Sequence, residues 1–178
     1  MKVLAMGSVK RPDDFMSVNI DLNRPEFFAD VATTLAGELE DTIGLVEASS
    51  FVGQVGEELG ASISRRYGDA LGGLPVEPDA LAGILSDLKR RIGGDFDVES
   101  VSETEIIMVN TSCPFSDRVK GRPSLCMMTT NVFGRIVSDA RGYARVNIDK
   151  AIATGHPGCR VRVSLIDDHA GDGFEFFR

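Results

Sequence analysis

The sequence lacks the features that would point to a membrane protein, a secreted protein or a nucleic-acid-binding protein. It has no run of roughly 18 apolar residues, the length that a membrane-spanning helix needs, and its N-terminus has too short an apolar stretch for a secretory signal. Basic residues are not in excess, because 27 Asp and Glu outnumber 19 Lys and Arg to give a net charge of −8. This balance disfavours nucleic acid and anionic membranes as partners. We therefore expect a cytoplasmic protein that binds neither.

The common catalytic motifs and paired cysteines are also missing. We find no phosphate-binding loop, dinucleotide fingerprint, Gly-x-Ser-x-Gly or His-Glu-x-x-His motif. The chain has three cysteines and no Cys-x-x-Cys pair. An odd number of cysteines without a secretory signal does not suggest a disulfide framework. We expect the three to be free thiols or metal ligands.

The periodicity of apolar residues predicts one α+β domain over residues 1–178, with a core at about 22–166 and a C-terminal tail at 167–178. Helical spacing dominates the first half, and strands with one long helix between them follow, which indicates a small antiparallel sheet of about four strands covered by helices. The predicted elements are a short strand at 16–22, helical runs on either side of Gly44, a helix opening at 77–79, a hairpin with its turn at 102–103, a helix at about 124–141, a strand at 144–148 and a last strand from Cys159.

Three glycines, Gly53, Gly56 and Gly60, interrupt the second helical run. Each costs about 1 kcal/mol relative to alanine in a helix interior, so they suggest close backbone packing against a neighbour. The neighbour is either within the chain or in a second copy. On this basis we expect a homodimer formed through the N-terminal helices.

The three cysteines stand at the ends of predicted elements, where several segments can converge. Cys113 follows a strand, Cys126 lies near the start of a helix, and Cys159 begins the last strand. A helix N-terminus lowers the pKa of a nearby thiol, which suits Cys126 for ligation or reactivity. Three cysteines are one short of a closed four-ligand site, and His156 is the nearest candidate for the fourth ligand. The alternative is that the cysteines are small buried apolar residues without a ligand.

The segments 110–116, 121–134 and 152–163 resemble the methanogen output domain family, and the resemblance covers about residues 22–166. Domains of this family occur in archaeal and bacterial signalling proteins. The Gly-x-x-x-Cys turn that ends at Cys159 is more distantly similar to vinyl-reductase-type sensor domains, which bind small aromatic ligands and carry a cysteine-ligated zinc. In that comparison Cys159 matches best, Cys113 and Cys126 are its plausible companions, and His156 stands where an Asp is expected.

These observations and the resemblance favour a signalling sensor or output module. Its cofactor would be an iron–sulfur cluster, or alternatively zinc, held by Cys113, Cys126, Cys159 and His156. It would respond to a small-molecule or gas ligand and act by association with a second copy and with a separate signalling protein. We expect no enzymatic activity and assign no catalytic residue. Two alternatives stay open: an enzyme with a cysteine nucleophile and His156 or His169 as its base, and a scaffold domain with unliganded buried thiols.

Overall fold

The structure, a computed structural model, describes residues 18–20, 22–168 and 171–178, which form four α-helices and five β-strands. Within these residues no helix is both long enough and apolar enough to cross a bilayer. The elements are α1 (Arg24–Ile43), α2 (Leu45–Leu71), α3 (Pro78–Arg91), β1 (Asp97–Val101), β2 (Glu105–Asn110), α4 (Cys126–Arg141), β3 (Tyr143–Lys150), β4 (Cys159–Ser164) and β5 (Phe174–Phe177). The α+β class is confirmed.

Local sequence signals place the start and the end of α1. The side chain of Asn23 accepts a hydrogen bond of 3.0 Å from the backbone N–H of Glu26, as expected of an N-cap residue. Gly44 has a φ of +89° and separates α1 from α2, a conformation that glycine adopts without steric cost. The strand expected at 16–22 is wrong for 18–20 and 22, which are exposed and belong to no strand. Alternation alone does not make a strand without a hydrogen-bonded neighbour. Residues 16, 17 and 21 lie outside the described residues.

The five strands form one antiparallel sheet in the order β1-β2-β4-β3-β5. Helices α3 and α4 pack on one face of the sheet, α2 packs on α4, and α1 packs on α2. The main core lies between the sheet and these helices and includes Leu85, Met108, Phe133 and Val161. The opposite face carries several charged side chains, and Arg162 there lies 3.0 Å from Asp149. Because the helices cover only one face, any internal cavity must lie on that side.

The C-terminal tail contributes β5, so the sheet has one strand more than the four that we expected. β5 pairs with β3, in a register that sets Phe174 opposite Val146. The ring of Phe176 packs against Gly134 of α4, where an added Cβ would lie 2.1 Å from the ring. Four residues that follow a glycine-containing segment give only a weak strand pattern in the sequence. Pairing with β3 and contact with α4 stabilise them as an edge strand.

The glycines of α2 pack against α4 of the same chain. A Cβ at Gly56 would lie 2.9 Å from the Cβ of Asn131, and a Cβ at Gly60 would lie 2.9 Å from the Cβ of Arg135. Gly53 lies against Asn131 as well. The close packing that the sequence predicted is therefore within the chain. These glycines give no support to a homodimer, which stays a prediction.

Candidate ligand-binding cavity

A cavity of about 290 Å³ lies between the sheet and the helices α2, α3 and α4. Its lining is almost entirely apolar, and it includes Ile63, Leu88, Phe96, Val132, Ile148 and Val161. Leu59 and Ile92 also line it and are exposed to solvent, so they mark its mouth. An engineered apolar cavity of about 150 Å³ is large enough to bind benzene. The space is therefore sufficient for a single-ring aromatic molecule or a short alkyl chain.

All three cysteines line this cavity. Cys113 lies in the loop after β2, Cys126 is the first residue of α4, and Cys159 is the first residue of β4. Each is free and half-buried. The structure thus brings together three residues that are far apart in sequence. The end of β2 and the starts of α4 and β4 lie at the same edge of the fold.

Asn110 and Gly158 hold two of the cysteine-bearing segments together. The side chain of Asn110 accepts a hydrogen bond of 2.8 Å from the backbone N–H of Cys159 and donates one of 2.9 Å to the carbonyl of Ser112. A Cβ at Gly158 would lie 2.3 Å from the carbonyl oxygen of Asn110, so only glycine fits there. Asp95 accepts a hydrogen bond of 2.7 Å from the backbone N–H of Ser112. These contacts fix the loop after β2, which carries Cys113, against the start of β4, which carries Cys159.

Burial raises the pKa of every one of these thiols. The pKa of Cys126 rises to about 12, mainly because its thiolate would be desolvated, and secondly because the neighbouring Cys159 and Cys113 would repel it if ionised. Burial also raises the pKa of Cys113 and that of Cys159, against smaller opposing effects of backbone N–H groups and Lys89. The lowered pKa expected for Cys126 at a helix start is therefore wrong, because desolvation dominates. All three groups are neutral thiols at pH 7.

His156 does not join the cysteines in the cavity. It is exposed in the turn before β4, and its Nδ1 lies 3.2 Å from the hydroxyl of Thr154. It lines a separate surface groove that Cys113 also borders. Within residues 18–20, 22–168 and 171–178, no group of three or more His, Cys, Asp or Glu side chains is arranged to hold a metal ion. His169, the other histidine considered as a base, lies outside the described residues.

Lys89 is a cavity residue that was not expected from the sequence. Lys89 lies in the last turn of α3, where a cation complements the helix dipole and lysine is mostly solvent-exposed. Instead it is only 5% exposed and lines the cavity, and burial lowers the pKa of its ammonium to about 8. A signal for this was present, because Leu81, Leu85 and Lys89 follow each other at intervals of four and so share one face of the helix.

Three neighbours surround the Lys89 ammonium. Its Nζ donates a hydrogen bond of 2.7 Å to the hydroxyl of Thr129 on α4. It also lies 5.1 Å from the ring centroids of both Phe96 and Phe133, a distance typical of cation–π contacts. The lining residues include no Asp and no Glu. The cavity therefore combines an apolar wall, three neutral thiols and one buried positive charge.

The sequence matches one family model, methanogen output domain 1, over residues 31–164. The chain belongs to the methanogen output domain 1 family. This confirms the family expected from the sequence and places the chain among output domains. No curated protein matches the sequence.

Two solved structures are similar in fold to this family member. The first is the phenol-responsive sensory domain of the transcription activator PoxR with phenol, which has a TM-score of 0.63 and 16% sequence identity over 82% of this chain and 76% of that chain. The second is trafficking protein particle complex subunit 3 from Naegleria fowleri covalently bound to palmitic acid, with a TM-score of 0.64 and 16% identity over 80% and 95% of the two chains. At such identity the likeness shows the fold alone.

Proposed function

We propose that this domain is a sensor and output module that binds a small, mainly apolar molecule in the cavity and passes the change on by protein association. The observation that carries the proposal is the cavity itself, which is lined by apolar side chains and half-buried thiols and has its mouth at Leu59 and Ile92. Burial of apolar ligand surface stabilises the complex by roughly 25 cal/mol per Å². The similar structures were solved with phenol and with covalently bound palmitic acid, which supports a role of this fold in holding apolar molecules.

Helix α2 connects the cavity with the outer surface. Leu59 and Ile63 of α2 line the cavity, whereas Phe51 and Val55 of the same helix are exposed. A ligand that packs against Leu59 and Ile63 stabilises the conformations in which α2 makes this contact. It shifts the population towards these conformations by as much as its affinity for them exceeds its affinity for the others. The exposed part of α2 moves with its buried part, so occupancy of the cavity alters the surface that a partner meets.

The partner surface is the apolar face of the two N-terminal helices. Phe27, Phe28 and Leu35 of α1 are each at least half exposed, as are Phe51 and Val55 of α2. Large apolar side chains exposed on two helices that pack together can form an interaction site. We expect a second copy of the chain to cover it, with a separate signalling protein responding to the assembled form. Light scattering after size exclusion tests this, because replacement of Phe28 and Leu35 by Ser should convert a dimer to a monomer.

Ligand binding is tested by thermal unfolding with a panel of small aromatic molecules, beginning with phenol. At 100 times its Kd a ligand stabilises the folded state by about 2.7 kcal/mol, which raises the Tm of a chain of this size by roughly 5–10 °C. Val132→Phe fills the cavity from α4 and should abolish the shift. Val98→Phe makes the same change on the exposed strand β1 and should retain it. A shift that survives Val132→Phe would place the ligand elsewhere and overturn the proposal.

A second candidate is a cofactor held by Cys113, Cys126 and Cys159, either an iron–sulfur cluster or zinc. It is favoured by the convergence of the three thiols on one cavity. Within the described residues no group of three or more His, Cys, Asp or Glu side chains is arranged to hold a metal ion, and a metal would bind these cysteines as thiolates with release of their protons. Anaerobic purification with metal and sulfide analysis decides between the candidates. One metal centre per chain, lost on replacement of any one cysteine by serine, would favour the cofactor.

The absence of enzymatic activity is part of this proposal. Nucleophilic attack by cysteine requires the thiolate, and burial keeps these three thiols protonated at pH 7. Within the part of the chain that the structure describes, no histidine lines the cavity to act as their base. Rapid thioester hydrolysis by the purified protein, abolished by Cys113→Ser, would favour the enzyme instead.

A further inference from the structure

We propose that the molecule bound in the cavity carries a single carboxylate, which pairs with the ammonium of Lys89. This inference rests on the proposed function, because it names the chemical class of the ligand for the same cavity. The ligand is thus an apolar monoacid, either aromatic or short-chain aliphatic, whose hydrocarbon part contacts the apolar wall. Two features of the molecule support this, the burial of Lys89 and the chemistry of the groups around it.

Lys89 is a buried cation without an anionic partner among the described residues. It is 5% exposed, and it forms no ion pair with any residue in 18–20, 22–168 or 171–178. An ion taken out of water without a partner destabilises the folded state. Proteins therefore rarely bury a lysine unless it is paired. Here the ammonium faces the cavity, so a bound anion can supply the missing charge.

The remaining polar groups at the cavity leave this role to a ligand. Asn110 is uncharged, and its amide already donates to the carbonyl of Ser112 while its carbonyl accepts from the backbone N–H of Cys159. Phe96 and Phe133 offer only ring faces to the cation. Among the described residues, no Asp or Glu side chain lines the cavity to pair with Lys89.

Thr129 completes a recognition pair with Lys89. Its hydroxyl oxygen accepts the 2.7 Å hydrogen bond from Nζ, and the hydroxyl proton remains able to donate. The ammonium has three N–H donors, of which Thr129 occupies one. Two oxygens of a carboxylate can therefore accept from Lys89 and from Thr129 at once. Such charge-assisted hydrogen bonds are roughly twice as strong as neutral ones.

The test compares a carboxylate with an uncharged molecule of the same shape. Benzoate and nitrobenzene form one such pair, and octanoate and octanol form a second pair of aliphatic probes. We expect the protein to bind the acid of at least one pair roughly tenfold or more tightly than its uncharged mate at pH 7, measured by titration calorimetry. Lys89→Met should remove this preference, whereas binding of the uncharged molecule should be unchanged. Lys150→Met, which removes an exposed lysine at the end of β3, should leave the preference unchanged.

Thr129→Val provides a second variant that keeps the Lys89 cation. We expect it to weaken binding of the acid more than binding of the uncharged molecule. Equal binding of acid and mate by the unaltered protein would overturn this inference and leave the proposed function standing. Preference for the acid that persists in Lys89→Met would overturn it as well, because another group would then carry the recognition. If no member of either pair binds, both the inference and the proposed function fail.

Discussion

Replacing Lys89 by methionine should stabilise the protein in the absence of any ligand. Methionine keeps the length of the side chain and removes the charge. Burial lowers the pKa of Lys89 from 10.5 to about 8, and a tenfold change in a proton-binding constant corresponds to about 1.4 kcal/mol. The folded state therefore carries a penalty of about 3 kcal/mol at pH 7, where the amine is protonated in both states. Because the Thr129 hydrogen bond and the cation–π contacts are lost as well, we expect a net gain of about 1–3 kcal/mol.

The pH dependence gives a sharper test than the absolute value. The unfolded chain binds a proton at Lys89 up to pH 10.5 and the folded chain only up to about pH 8. The free energy of unfolding contributed by this group therefore rises with pH between about 8 and 10.5. The penalty is fully present below pH 8 and disappears above 10.5. The advantage of Lys89→Met should accordingly be largest at pH 7 and shrink by pH 10.

Urea unfolding of both proteins at pH 7 and pH 9.5 measures this difference. The thiols of the unfolded chain also titrate in this range, and that contribution is the same in both proteins. Lys150→Met serves as the control, and as an exposed substitution it should stay within about 0.5 kcal/mol of the unaltered protein. A variant that is less stable at pH 7, with no convergence at high pH, would refute the reasoning, because Lys89 would then be stabilised by a partner.

Three further measurements probe the thiols, the Gly158 turn and the edge strand β5. Iodoacetamide should label the thiols of the native protein far more slowly than those of the unfolded protein at pH 8, as measured by mass spectrometry. Cys126 should react slowest because burial raises its pKa to about 12. Rapid labelling of the native protein would contradict this. Gly158→Ala should lower the free energy of unfolding by about 2 kcal/mol or more, because the added Cβ would meet the carbonyl of Asn110. Gly83→Ala on the open face of α3 should raise the free energy of unfolding by up to about 1 kcal/mol. Urea unfolding measures both. Phe176→Ala should cost about 2–4 kcal/mol through lost packing on α4, and an unchanged Tm would show that β5 contributes little.

The cysteines show how far the candidate site could be predicted from the sequence. Their positions at the ends of elements indicated that they converge, and all three line one cavity. Their ionisation was predicted wrongly for Cys126, because the helix start is a local feature whereas burial depends on every element packed around the thiol. His156 is near Cys159 in sequence, but the turn holds it on the outer surface. The metal site built on these four residues stays a prediction.

The sequence by itself determined the family, the α+β class, the four helices and the starts of most elements. These follow from signals within a few residues, such as the Asn23 cap, the break at Gly44 and the change of apolar period after α3. Only the tertiary structure decided that the glycines of α2 meet α4, that the tail adds a fifth strand, and that Lys89 is buried in a cavity. Each of these depends on contacts between residues far apart in the chain. Burial and its effect on charge are sums over such contacts, and no local pattern contains them.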